Sequence, residues 1–184
     1  MNIKIRNFNN SGNNIDLNIT DKIVCFCGHS GSGKSSILYM IHGIRSYNGE
    51  CDVKNSIYMP QSFRLFDHMS IEENIFINQQ VNQELMMHYL NMYNIPLDRK
   101  VSSMSGGEKQ RICLIRSIAH DTKVLLLDEP TSALDAHNSN ITADILLSIQ
   151  DKYDHIIVST HDISFAHRIS KNHYIFENNN IINI

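Results

Sequence analysis

Residues 23–44, IVCFCGHSGSGKSSILYMIHGI, constrain the fold of this chain more than any other stretch. An apolar, β-compatible run ends at Gly28. A glycine-rich segment, GHSGSGKSS, fills 28–36, and apolar residues then recur at 37, 38, 41 and 44 with a helical period. The order is therefore buried strand, loop, helix. Glycines at 28, 31 and 33 let the loop turn tightly enough for successive backbone N–H groups to converge on an anion. The helix that follows adds its positive N-terminal end. In that context Lys34 reaches the outer phosphates of a nucleotide, and the Ser35 hydroxyl ligates Mg²⁺. A glycine-rich turn that merely caps a helix would carry the same composition without that order.

The rest of the chain repeats the strand–helix alternation. IKIRNF and IDLNI read as short opening strands, and SIYMPQ as a strand ending at Pro60–Gln61. KVLLLDEP and HIIVSTH are near-continuous apolar runs of the kind buried on both faces of a sheet. GEKQRICLIRSIAH places Ile112, Ile115 and Ile118–Ala119 on one helical side, and a further helix covers roughly 137–151. A polar, mostly helical middle runs from about 70 to 100. Its apolar periodicity is carried by Ile71, Ile75, Leu85, His88, Tyr89 and Met92, with a break at Pro96. Alternating strands and helices predict a mostly parallel α/β sheet with this middle as an inserted helical lobe.

Composition narrows the function classes. A chain of 184 residues suits one domain. The formal charge of −3 gives no basic excess, so no nucleic-acid partner is expected. No run approaches the ~20 apolar residues of a spanning helix, and MNIKIRNFNN lacks the apolar core of a signal peptide. Cys25 and Cys27, two apart on a strand, point to one face. With Cys51 and Cys113 they read as reduced thiols of a cytosolic chain.

Two further segments carry chemistry. VLLLDEP ends an apolar strand in Asp128 and Glu129, where α/β folds place ligands. Asp128 suits a Mg²⁺ ion directly or through water, and Glu129 suits a general base for an attacking water. MSGGEKQR, residues 104–111, sets a serine and two glycines before a helix. That makes a second anion-ready helix start, with Ser105 as hydroxyl donor. One loop suffices for one nucleotide, so the second suggests contact with another molecule's γ-phosphate.

The order GHSGSGKSS, Gln61, MSGGE, VLLLDEP, SALD, His161 resembles the ABC-type ATPases, the nucleotide-binding domains of ABC transporters, over almost the whole chain. The resemblance implies a P-loop NTPase fold of the α/β class. This has a mostly parallel sheet, a small N-terminal antiparallel β part and an inserted helical subdomain. It implies a single domain over 1–184, with the core at about 1–62 and 110–184 and the helical subdomain at about 63–109. Gly28, His29, Ser30, Gly31, Ser32, Gly33, Lys34, Ser35 and Ser36 resemble the Walker A loop, and Met104 to Glu108 the signature motif, whose Ser105, Gly106 and Gly107 would touch nucleotide. Gln61 resembles the Q-loop glutamine, which senses metal and attacking water, and Asp128 the Walker B aspartate, so that Ser35, Gln61 and Asp128 form the implied metal set. Glu129 resembles the catalytic glutamate, Ser132 to Asp135 the D-loop, and His161 the switch histidine on the γ-phosphate.

By the same resemblance the chain is a Mg²⁺-dependent ATPase working as a head-to-tail homo- or heterodimer. Two ATP molecules are sandwiched, each between one subunit's Walker A loop and the other's signature. A separate transmembrane permease would hold the pair at the inner face of the cell membrane, peripheral and cytoplasmic. QSFRLFDHMSIEENI resembles the segment where an apolar pair, here Leu65–Phe66, helps form a groove for the permease's coupling helix. It is nearer to exporter and lipoprotein- or peptide-transport subunits. The alternative is a soluble ABC ATPase outside transport, of the iron–sulfur assembly type.

The chain departs from the family pattern in places. Met104 and Glu108 stand where Leu and Gln are usual, and Ser105, Gly106 and Gly107 are kept. No Tyr lies between Ile3 and Ile15 to stack on adenine. Phe8 is the one aromatic candidate there, and it reads as a core residue of IKIRNF. The span from Ser36 to Gln61 is short, which predicts a trimmed hairpin, and ENNNIINI resembles the family's closing hairpin.

Overall fold

In the run IVCFC every side chain is buried, and alternate residues enter different cores. The computed structural model describes residues 2–10, 13–44, 50–77, 82–177 and 180–183. Strand β3 (Ile23–Cys27) sends Ile23, Cys25 and Cys27 into one apolar cluster, and Val24 and Phe26 into another. Strand β6 (Val124–Asp128) divides Leu125 and Leu127 from Val124 and Leu126 in the same way. Two-sided burial is what a central strand with period-2 side chains requires when both faces are covered.

Before β3 come β1 (Ile3–Asn10) and β2 (Asn13–Ile19). After it come α1 (Lys34–His42), β4 (Glu50–Cys51) and β5 (Ser56–Met59). Helices α2 (Ile71–Phe76) and α3 (Gln83–Met92) precede α4 (Gly106–Ile118) and β6. The chain continues through α5 (Ala136–Ile149), β7 (His155–Thr160), α6 (Ile163–Ile169), β8 (His173–Glu177) and β9 (Asn180–Asn183). The main sheet has the order β5-β6-β7-β3-β8-β9, parallel from β5 to β8 and antiparallel at β9. A smaller antiparallel sheet, β2-β1-β4, is not hydrogen-bonded to it but packs against the same core. The expected mostly parallel α/β sheet with a small N-terminal antiparallel part is thus the observed architecture. The antiparallel β8–β9 pair is the expected closing hairpin, and its residues 178–179 lie outside the described set. So do residues 45–49, within the span expected to hold a trimmed hairpin.

The smaller sheet owes its inner face to a bulge. The β1–β2 register slips between Ile5 and Phe8, where Asn7 takes φ 54. Asn enters that left-handed region more easily than most residues. The slip lets Ile3, Ile5 and Phe8 all turn inward, and Phe8 is 1% exposed among α1 and the main sheet. Phe8 is therefore a core residue, as expected, and has no face for a base.

Two expectations need correction. The helical period was extended to Ile44, but α1 ends at His42 with Gly43 as its cap, and Ile44 is 53% exposed. In α3 the expected Tyr89 is buried, but its companions are Met86 and Leu90, continued by Tyr93; Leu85 is only half-buried, and His88 and Met92 are exposed. The cap at Asn82 and the anchorage of Tyr93 set this rotation. The Tyr93 hydroxyl lies 2.8 Å from Thr142 Oγ1 of α5, and its ring lies under the Arg111 guanidinium.

Strands β6, β7 and β3 are consecutive neighbours, with Asp128 opposite Ser159 and Cys27 opposite Thr160. Their C-terminal ends therefore open side by side. Residues 28–36, 129–134 and 161 leave from one edge, which is where an open α/β sheet places its ligands.

Candidate functional site

The loop after β3 folds around its own lysine. Lys34 is 5% exposed, and its Nζ donates to the carbonyls of Gly28 (2.7 Å) and His29 (2.9 Å). Gly28 sits at φ +148, and a Cβ there would lie 2.6 Å from the Phe176 carbonyl oxygen, so no larger residue fits. Helix α1 starts at Gly33 with no side-chain cap. Helices α2 to α6 all have one, from Ser70, Asn82, Ser105, Asp135 and Asp162 respectively. The first-turn N–H groups of α1 are thus left for something other than a protein side chain.

A cavity of about 450 Å³ lies over this loop. His29, Ser30, Gly31, Gly33, Lys34, Ser35 and Ser36 line it, with Gln61, Glu129 and His161 opposite. Gly28 and Ser32 belong to the loop without forming its wall. Glu129, at the end of β6, is 7% exposed. Its Oε1 is 3.9 Å from Lys34 Nζ, and its Oε2 is 2.8 Å from His161 Nδ1. A buried carboxylate needs such partners. The contact also fixes the His161 tautomer: Nδ1–H donates to Glu129, so Nε2 of a neutral ring accepts.

Asp128 lies behind the cavity wall, 2% exposed, and is surrounded by hydroxyls. Ser35 Oγ (3.0 Å) and Ser159 Oγ donate to its Oδ1, and Tyr58 OH (2.8 Å) donates to its Oδ2. Burial first, then its hydrogen bond with Tyr39, push the Tyr58 phenol above its ordinary range, so it stays a donor. Oxygen donors of this hardness fit Mg²⁺, which keeps several waters and takes one or two protein ligands beside phosphates. Among the described residues no group of three or more His, Cys, Asp or Glu could hold a metal by itself.

Ser105, Gly106 and Gly107 are absent from that cavity. They start α4, where Ser105 and Glu108 form a reciprocal cap: Ser105 Oγ accepts from Glu108 N, and Ser105 N donates to Glu108 Oε2 (2.8 Å). Glu108 also pairs with Arg99 at 2.7 Å. The Ser105 N–H above all, then Arg99, hold the Glu108 carboxyl below the usual range, so its support is present at neutral pH and lost on acidification. The cap needs only an acceptor at this position. Glu108→Gln is therefore expected to leave the melting temperature within about 3 °C, since an exposed pair is worth about 0–1 kcal/mol. Thermal unfolding followed by circular dichroism checks this.

Sequence reasoning missed Tyr58, Ser159 and Gln110. Two of them stand out in the sequence as polar residues on buried elements, although the sequence does not show what they contact. Ser159 interrupts the apolar run of β7, and Gln110 stands at helical spacing from the buried Cys113 and Ser117 on α4. The cysteines are unpaired as expected. Burial raises the thiol pKa of both Cys27 and Cys113 to about 11.

Comparison with known proteins agrees with this geometry. The family described as "ABC transporter" matches residues 13–132. The glutamine transport ATP-binding protein of Geobacillus stearothermophilus is 30% identical over 185 residues, covering 84% of this chain and 76% of that protein. The molybdate import ATP-binding protein of Haemophilus influenzae is 34% identical over 164 residues, covering 80% of this chain and 64% of that protein. Among solved structures, a dimeric bacterial ABC transporter cassette superposes with a TM-score of 0.83 at 23% identity, covering 97% of this chain and 96% of that one.

Proposed function

The chain belongs to the ABC transporter family, and from that premise we propose that it is an ATP-binding, ATP-hydrolysing subunit that drives transport through a separate transmembrane permease. The observation that carries the reading is the meeting of Lys34, Glu129 and His161 over the glycine loop, with Ser35 and Asp128 beneath. In this reading the loop's N–H groups and Lys34 hold the phosphates. Ser35 and Asp128 hold Mg²⁺, with Gln61 at the mouth of the cavity. Bound Mg²⁺ supplies neutralisation of charge on the phosphate oxygens. Glu129 orients the attacking water and takes its proton at a carboxylate oxygen. His161 stabilises charge on the γ-phosphate.

Half the site is missing from one copy. Ser105, Gly106 and Gly107 sit outside the cavity, so a second copy or sister subunit brings them head-to-tail to the γ-phosphate. The division into a core (1–62 and 110–184) and a helical unit (63–109) goes with this arrangement. Phe66, 46% exposed beside the half-buried Leu65, offers the apolar footing for a permease helix. The names of the relatives concern transport of glutamine and glutamate and import of glutamate/aspartate and molybdate, and so favour solute import over peptide or lipid export. Among the described residues no helix is long and apolar enough to cross a membrane, which suits a subunit seated on the cytoplasmic face.

Steady-state phosphate release from the purified chain tests the reading. Hydrolysis is expected with ATP and Mg²⁺, lost with EDTA, and with specific activity rising as protein concentration rises. Absence of nucleotide binding at millimolar ATP, or activity indifferent to chelation, overturns it.

A further inference from the structure

Gln110 joins the start of α4 to the loop that carries Glu129. Its side chain is 1% exposed and fully used. Nε2 donates to the Glu129 carbonyl (2.7 Å) and to Ser132 Oγ (3.1 Å), while Oε1 accepts from Ala133 N (2.8 Å). The same loop holds an unusual backbone. Glu129 has φ 52, a left-handed conformation that disfavours a residue with a Cβ and that persists only where surrounding contacts impose it. The Glu129 N–H donates to Ser159 O (3.0 Å) on one side. Its carbonyl is held by Gln110 on the other. One turn before Gln110, Gly107 lies so close to the loop that a Cβ there would be 2.8 Å from Ala133 O.

We propose that Gln110 is a positioning residue: its amide clamps residues 129–133 to α4, holds Glu129 in its left-handed conformation, and so keeps the Glu129 carboxylate aimed at the cavity. The proposal deepens the ATPase reading and rests on it. Side-chain placement within about 0.5 Å matters to a base that must meet one water, and a misplacement of about 1 Å can lower the rate on the order of 100-fold. Gln110 itself lines no part of the cavity, so nucleotide affinity does not depend on it directly. A clamp at this place also ties whatever seats on Ser105 to the geometry of Glu129, five residues of helix away.

Two measurements on Gln110→Met test the clamp, with Gln110→Asn, one methylene shorter, as the second variant should the first fail to fold. The first is amide hydrogen exchange, which needs no turnover. Exchange at Ala133 is expected to speed at least 10-fold, while β3 and β6 amides stay unchanged. Unchanged protection at Ala133 overturns the clamp whether or not the chain hydrolyses ATP. The second is a turnover cycle with Glu129→Gln. Gln110→Met is expected to lower kcat about 10- to 100-fold with KM and nucleotide Kd within twofold, yet to add almost nothing in the Glu129→Gln background. Equal losses in both backgrounds show a general structural lesion and overturn the positioning role. A wild-type chain that binds no nucleotide overturns the ATPase reading instead, and leaves the exchange result to decide the clamp.

Discussion

Lys34→Ala is expected to weaken nucleotide affinity about 30-fold or more. The ammonium is buried between the Gly28 and His29 carbonyls and faces Glu129, so it meets an incoming phosphate in a site with little water to screen it. Truncating one partner of such a buried, hydrogen-bonded charge pair removes about 2–5 kcal/mol, and each 1.4 kcal/mol is tenfold. The loss also leaves Glu129 Oε1 without its cation, which repels phosphate further. Titration of the variant with a fluorescent ATP analogue, beside a melting curve without nucleotide, separates affinity from folding. Wild-type affinity in a folded Lys34→Ala variant removes the glycine loop from the account.

Glu129→Gln is expected to lower turnover on the order of 10²–10⁴-fold, the range a general base contributes, while binding persists. The amide keeps the length of the side chain and can still accept from His161 Nδ1, so the local shape survives. What disappears is the capacity to take a proton from water. If two copies close on nucleotide, the variant is expected to accumulate as an ATP-dependent dimer on size-exclusion chromatography. Hydrolysis at the wild-type rate would sink the role given to Glu129.

The ingredients of the site were legible wherever chemistry and local structure share one segment. GHSGSGKSS announces itself because a glycine loop between an apolar strand and a helix has few other uses. VLLLDEP does so because two carboxylates close a buried run. What remained hidden depends on neighbours distant in the chain. Tyr58 and Ser159 reach Asp128 only because β6 lies between β5 and β7, a fact of sheet order that no local pattern carries. Gln110 looked like one polar residue of an amphipathic helix, although its face is turned to the 129–134 loop. The face of α3 was misread by one position because Tyr93, beyond the helix end, anchors it more firmly than its own apolar periodicity. Phe8 came out as a core residue as expected, although strict alternation from Ile3 and Ile5 would have turned it outward and only the bulge at Asn7 brings it in.

The apolar residues of α2 and α3 share one continuous cluster with the inner faces of β3, β6 and β7. Ile71, Ile75, Met86, Tyr89 and Leu90 lie in the same core as Cys25, Leu125 and Val158. A miniature version made by deleting 63–109 would therefore bare a greasy flank, not trim an appendage. Among the described residues, α2 and α3 pack on α4, and α4 packs on the sheet. Any shift of α2 and α3 against the sheet has to pass through α4, which packs on both them and β5–β6, and close-packed surfaces of that kind settle into discrete positions. Force applied at Phe66 would then arrive at the strand ends as a step between two packings, which suits a machine that must be either engaged or released.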